Sequence, residues 1–371
     1  MQEQIVKDLI ELVQIPVQSR NERLIADNLK AKLEALGLSV IEDDIRVADG
    51  NTGNIRALLK GDPAIEPILF SAHMDRVKNN NAIHPVLDAE NNILRADGVT
   101  ILAADDVSGI SVILDALRRI IASDKPHGDI EVAFSVCEEA GVIGSSYYDF
   151  GKFTAKKAFV FDVPGHIGKI VLQAPSKAKL TYKIYGKSAH AGNEPEKGIN
   201  AIKAAAALIM QIPDSRITPF TTTNISTIHA GTNATNVVCD YAEILAEARS
   251  TDNAEFDAVL EKFAAPVAQI EKEYGVKIEY TPDVLYRTFK IDQDADIAQV
   301  AAQALQEMGI EVTFARGGGG MDGNHFNANG IQAIGIAPGY FKNHTPAEHI
   351  YLDDLIKCGE LAAKIAWNMA K

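Results

Sequence analysis

Five segments of this chain place histidine or carboxylate where an apolar run ends or a helix begins, and that placement restricts the fold more than any other feature. PILFSA (67–72) is followed by His73 and, two residues on, by Asp75. The run ending at Cys137 is followed by Glu138 and Glu139. KAFVF is followed by Asp162, QAIGI by a loop carrying His344, and Asp105 and Asp106 stand just before an amphipathic stretch at 107–121. Short apolar runs bounded by such breaks read as buried strands. In an open parallel sheet, ligand crevices lie beyond the carboxyl ends of the strands. Solvated loop charges would not select histidine and carboxylate at strand end after strand end. The pattern therefore predicts a mostly parallel sheet whose strand ends converge on one site.

The rest of the first half supports an α/β class. Helical periodicity runs over 4–14, 23–36 and 107–121, alternating with strands at 67–72, 130–136 and 158–161, a βαβ rhythm with helices covering the sheet. From about residue 177 the pattern changes. KLTYKIYG alternates strictly, an alanine-rich helix follows at 199–210, then strands TNISTIHA and NVVCDYAEILAEAR, a helix at 254–274 and a strand VKIEYTP. That β-α-β-β-α-β order is ferredoxin-like. After 289 the first pattern resumes, with a helix at 295–308, strands VTFA and QAIGI, and a closing helix at 352–369. The expected organisation is a sheet domain of 1–176 and 289–371 split by an inserted α+β domain of 177–288, consistent with 371 residues being more than one core usually supports.

Charge narrows the partners. The net charge is -14 with no long basic cluster, so nucleic acid and anionic membrane are excluded as expected partners, while divalent cations suit the balance. No apolar run approaches the roughly 18 residues of a membrane span. The first fifteen residues alternate charged and apolar positions, so no secretory signal is expected. Three cysteines, Cys137, Cys239 and Cys358, lack paired spacing, which fits a reducing cytoplasm.

The inventory at the strand ends suits a pair of zinc-like ions, which favour nitrogen and oxygen ligands. His73, Asp105, Asp162, Glu139 and His344 supply two imidazoles and three carboxylates. One carboxylate could bridge ions about 3.5–4 Å apart. Asp75 is placed to hold the His73 imidazole from behind. Adjacent side chains in an extended segment point apart, so Glu139 can face a metal while Glu138 faces the substrate and takes a proton from water.

At these residues the chain resembles the di-zinc metallopeptidase superfamily that contains peptidase T, bacterial glutamate carboxypeptidases, aminoacylases and succinyl-diaminopimelate desuccinylase, and looks closest to the peptidase T-like branch. The segments that carry the resemblance are SAHMD, ILAADDVSG, CEEAG, FDVPG, GKSAHAGNEPEKGINAI, TNATNVVCDYAEILAEARS, GGGGMDGNHF and NHTPAEHI. The resemblance implies that His73 and Asp162 hold one metal and Glu139 and His344 the other, with Asp105 bridging. It implies Glu138 as general base and acid, Asp75 as support for His73, His190 as the group polarising the scissile carbonyl, often from the other subunit of a dimer, and Asn236 and Arg249 on the substrate carboxylate side. It also implies two divalent ions (zinc, with manganese or cobalt as alternatives), a short peptide substrate, and a homodimer formed through the inserted lid domain. Many relatives have Lys two residues after the bridging aspartate, where this chain has Val107. The expected activity is that of a tripeptide-cleaving aminopeptidase. An N-acyl amino acid deacylase or carboxypeptidase, and a non-catalytic metal-stabilised binding protein, are the alternatives.

Other features read as structural. Cys137 ends a buried strand and is expected to be a small core residue rather than a nucleophile. RGGGGMDGNHF contains G-x-G-x-x-G, but the next strand follows about eight residues later, too soon for a dinucleotide-binding helix. A backbone turn near the site, which substrate can approach closely, is expected there instead. Asp106 is an alternative to Asp105 as the bridge, or a helix cap. His84, His127, His166 and His349 are expected on the surface, and His229 and His325 are undecided.

Overall fold

The computed structural model describes residues 3–79, 81–231 and 233–370. The chain divides into two compact units, one of Met1–Ala174 with Phe289–Lys371 and one of Pro175–Thr288.

The larger unit is built on a nine-stranded sheet. Its centre is parallel: Ile68–His73 lies between Ile130–Ser135 and Lys157–Val160, and Gln332–Ile336 extends the parallel set beyond Lys157–Val160. The three strands Ile68–His73, Ile130–Ser135 and Lys157–Val160 are buried at every position, as strands covered on both faces must be. Antiparallel strands flank this centre, with Ser39–Glu42 and Ile55–Leu59 on one side and Lys169–Ala174 and Phe289–Lys290 on the other. The helices Gln4–Val13, Ala104–Ile121 and Leu352–Asn368 pack together, and their apolar faces join one continuous core with the sheet. A second, four-stranded sheet of very short strands (Val86–Asp88, Ile93–Arg95, Tyr340–Phe341 and His349–Tyr351) was not expected, because two- and three-residue strands carry no readable alternation.

At one edge of the larger unit's sheet, ion pairs tie a helix to the edge strand. Arg23 at the start of helix Arg23–Ala35 makes a bidentate pair with Glu42 on strand Ser39–Glu42 (2.7 and 2.9 Å), and Lys30, the Thr52 hydroxyl and the Gly53 amide add to the same carboxylate. The hydrogen bonds from Arg23 lead in holding the Glu42 carboxyl well below its ordinary value, against the cost of burial. A carboxylate depressed in this way stabilises the fold fully above its unfolded pKa of about 4.3 and loses the contribution as pH falls towards the folded value. Glu42→Gln is therefore expected to cost about 1.5–3 kcal/mol at pH 7. The gap between variant and wild type should narrow below about pH 4, as read by urea melts across that range.

The smaller unit holds a five-stranded antiparallel sheet whose four long strands run Thr221–Ala230, Tyr241–Ser250, Ser176–Tyr185 and Lys277–Tyr286 in spatial order. Ser176–Tyr185 alternates buried and exposed positions, with Ala178, Leu180, Tyr182 and Ile184 turned to a core shared with the helices. Asn200 caps helix Ala201–Ile209 through the Ile202 and Lys203 amides, and Asp252 caps Asn253–Ala264 through Glu255. Two expectations need correction here. The helix expected at 254–274 is two helices, Asn253–Ala264 and Val267–Tyr274, separated at Pro266, which cannot continue a helix. The strand expected from Asn236 begins at Tyr241, and 236–240 form a loop apart from one bridge between Val237 and His190.

Candidate metal centre

Register brings the larger unit's histidine and acids together. His73 is the last residue of its strand and stands level with Ser135, while Ser71 stands level with Val160. Glu138, Glu139 and Asp162 therefore emerge just beyond the same ends of the neighbouring strands. Asp105 comes from the first turn of helix Ala104–Ile121, and His344 from the loop between Tyr340–Phe341 and His349–Tyr351.

Two groups of potential ligand atoms result, each with all its atoms within 4.8 Å of one another: His73, Asp105 and Asp162, and Asp105, Glu139 and His344. Asp105 belongs to both. Its Oδ1 lies 3.1 Å from His73 Nε2 and its Oδ2 lies 3.2 Å from His344 Nε2, so its two oxygens face the two groups separately. Asp162 Oδ1 is 4.0 Å from His73 Nε2, and His344 Nε2 is 2.7 Å from Glu139 Oε1. Asp106 is in neither group. Its carboxylate accepts from the His73 and Gly109 amides, tying the strand end to the helix. Glu138 is buried beside the groups and belongs to neither.

The surrounding residues hold these side chains in place. Asp75 accepts from the Glu138 and Glu139 amides (2.8 and 3.2 Å) and from the Ser19 hydroxyl (2.5 Å). His73 Nδ1 faces the Asp75 carbonyl and carboxylate (3.0 and 3.3 Å), which leaves Nε2 for the ligand group. Four supporting residues escaped the sequence reading. The Tyr340 hydroxyl donates to Asp162 (3.0 Å) and the Asn343 amide to Asp105 Oδ2 (2.6 Å). Glu22 accepts from the Cys137 amide, and Glu348 accepts from the amides of Leu102, Ala103 and Asp105. Asn343 and Glu348 share the loop of His344 and Tyr340 is in the strand just before it, and proximity to that histidine is the one signal that could have found them.

The electrostatics test whether divalent ions suit this donor set. Burial alone would push the His73 imidazole down, but Asp105, Asp75 and Asp162 outweigh it and hold the ring well above its ordinary value. Hydrogen bonds to Asp105 and Glu139 push His344 up to about 10. Burial, with neighbouring carboxylates, drives Asp162 and Glu138 well above the usual carboxylate range. Imidazoles drawn towards the cationic form and acids drawn towards the neutral form are signs of one excess, that of buried negative charge. Two divalent cations on nitrogen and oxygen donors would neutralise it, so the residues fit such a pair.

The remaining expected residues lie in the smaller unit. His190 Nδ1 accepts from the Gly192 and Asn193 amides (both 3.1 Å), and the Ala191 amide donates to the Asn236 carbonyl (2.9 Å), so His190 and Asn236 are neighbours despite their separation in sequence. Arg249 is bound by Glu247 through Nε and Nη2 (2.9 and 3.3 Å). Cys137 is fully buried with its thiol against Glu22, and burial followed by that acid raises its pKa, so no reactive thiolate is supplied. His325 is bonded to the Val142 carbonyl, and His166 to Asp354. His84 and His229 are exposed.

The chain is similar to known proteins over its whole length. The profile of the M20 peptidase dimerisation domain matches residues 176–275. The uncharacterised protein YqjE of Bacillus subtilis is 36% identical over 371 residues, covering 100% of this chain and 99% of its own. The crystal structure of aminopeptidase PepT from Bacillus cereus has 36% identity and a TM-score of 0.88, covering 100% of this chain and 99% of that one. A tripeptidase structure from Staphylococcus aureus has 30% identity and a TM-score of 0.91, covering 99% and 98%. Agreement in sequence and fold from end to end leads to one conclusion: the chain belongs to the M20 metallopeptidase family, in its peptidase T-like branch.

Proposed function

We propose that this protein is a di-metal aminopeptidase that removes the N-terminal residue of short peptides, tripeptides among them. The observation that carries the reading is the arrangement around Asp105, one carboxylate common to two ligand groups with Glu138 beside them and in neither. The similar proteins described as an aminopeptidase and a tripeptidase support the substrate class.

In this reading His73 and Asp162 hold one ion, Glu139 and His344 the other, and Asp105 is shared. The ions, zinc or alternatively manganese or cobalt, would supply Lewis-acid polarisation of the scissile carbonyl and a more acidic water. The chain's own groups do the rest. Glu138 takes a proton from the attacking water and returns one to the departing amine. His190 accepts two backbone N–H groups at Nδ1, so its neutral ring carries the proton on Nε2 and presents that N–H to a substrate carbonyl oxygen. Asn236 serves the substrate carboxylate side. Arg249 joins it there while sharing its guanidinium with Glu247. Asp75 fixes the His73 tautomer. The match of 176–275 to a dimerisation domain supports a homodimer, and three free cysteines support a reducing cytoplasmic setting.

Incubation with tripeptides, dipeptides and N-acyl amino acids tests this. Release of the N-terminal residue from tripeptides, stopped by a chelator and restored by divalent metal, is expected. Release of a C-terminal residue or of an acyl group as the main product would refute the aminopeptidase assignment.

A further inference from the structure

We infer that Glu348 is a positioning residue for Asp105, holding the turn from which the shared metal ligand projects; this rests on the di-metal reading above. Asp105 leaves an unusual piece of backbone. Ala103 is left-handed at φ 62, and Asp105 and Asp106 depart from helical angles at φ -82, ψ 103 and φ -119, ψ 32. No side chain of the preceding residue caps this helix start, and the amides of a first helical turn have no partners within their own helix.

Glu348 supplies a partner to the Asp105 amide of that turn, and to the Leu102 and Ala103 amides just before the helix, from 243 to 246 residues away. Its carboxylate is buried, at 1% exposure. Oε2 accepts from the Leu102 and Ala103 amides (2.8 and 2.9 Å) and Oε1 from the Asp105 amide (3.1 Å). Glu348 is itself anchored, with its carbonyl accepting from the Ala96 amide (3.0 Å) and its amide donating to the Thr345 carbonyl (3.1 Å). The same loop carries Asn343 and His344, both against Asp105 Oδ2. One loop thus grips Asp105 from both ends, the side chain through Asn343 and His344 and the main chain through Glu348. Support of this kind orients a ligand before an ion arrives.

The chemistry of the grip suggests the test. Glutamine at 348 keeps the shape, but one oxygen becomes an NH2 group that cannot accept from an amide. Aspartate keeps the charge but withdraws the carboxylate by one methylene. Glu131 provides a matched control. It is also buried and also accepts two backbone amides and a hydroxyl, from Thr154 and Ala155, but it lies beside Ile130 at the opposite end of its strand from the ligand groups.

Metal-depleted wild type, Glu348→Gln, Glu348→Asp and Glu131→Gln would be titrated with Zn2+ in competition with a chromophoric chelator, with circular dichroism and melting of each metal-free form. Glu348→Gln is expected to bind Zn2+ about 10–100-fold more weakly, at both positions because Asp105 serves both, with its secondary structure retained. Glu131→Gln should keep wild-type affinity even where its melting temperature falls as far. If Glu348→Gln does not fold, Glu348→Asp is judged by the same criterion. Wild-type affinity in the folded Glu348 variant, or an equal loss in Glu131→Gln, overturns the inference. Wild-type protein that takes up no Zn2+ overturns the di-metal reading instead.

Discussion

Glu138→Ala is expected to lower kcat by about 10³- to 10⁴-fold, the range a positioned acid–base group contributes, while both metal positions fill as in wild type. The structure separates these outcomes clearly. The Glu138 side chain is in neither ligand group, whereas its neighbour Glu139 lies 2.7 Å from His344. Truncation at 138 also leaves the local backbone its anchor, because the Glu138 amide donates to Asp75. KM should move little, since the lost group acts on the proton in flight rather than on bound substrate. Glu139→Ala makes the contrasting case, with activity and metal falling together. Metal content by elemental analysis alongside steady-state kinetics checks both. A fully metallated Glu138→Ala protein that turns over its best tripeptide at the wild-type rate would remove Glu138 from the mechanism.

The sequence made the strand ends legible because parallel strands buried on both faces leave continuous apolar runs, and the residues following them stand out. His73, Glu138, Glu139 and Asp162 were visible for that reason. Asp105 was harder, since Asp106 offers the same chemistry one residue later. Only the three-dimensional turn shows Asp106 pointing to the His73 and Gly109 amides and Asp105 pointing at both imidazoles. Glu348 stands four residues after His344, but its contact with the Asp105 turn was not legible. It works through main-chain amides more than 240 residues distant, and a main-chain amide leaves no mark on residue type. The short strands around Tyr340 and His349 were missed because a strand of two or three residues has no period, and the break at Pro266 because the apolar spacing continues on both sides of it.

Addition of divalent metal is expected to raise the melting temperature of the larger unit by roughly 10 °C or more, the second large effect. Asp75, Asp105, Asp106, Glu138 and Asp322 are all buried in the larger unit, and Asp105 lies within ligand distance of Asp162 and Glu139. The raised His73 and His344 imidazoles and the raised Glu138 and Asp162 carboxyls are the mark of this crowding of acids. An ion that binds the folded form alone stabilises it by about 4 kcal/mol per site at a thousand times its dissociation constant. Two sites give roughly twice that, and a unit of this size gains about 2–4 °C per kcal/mol. Among the described residues, the smaller unit contributes nothing to either ligand group, so a calorimetric transition belonging to it should not shift. Asp105→Ala should abolish the whole metal-induced shift because both groups lose a member, whereas Asp162→Ala should abolish about half. The proposed pair of sites fails if Asp105→Ala and Asp162→Ala reduce the shift equally, because a shared carboxylate must cost more than an unshared one.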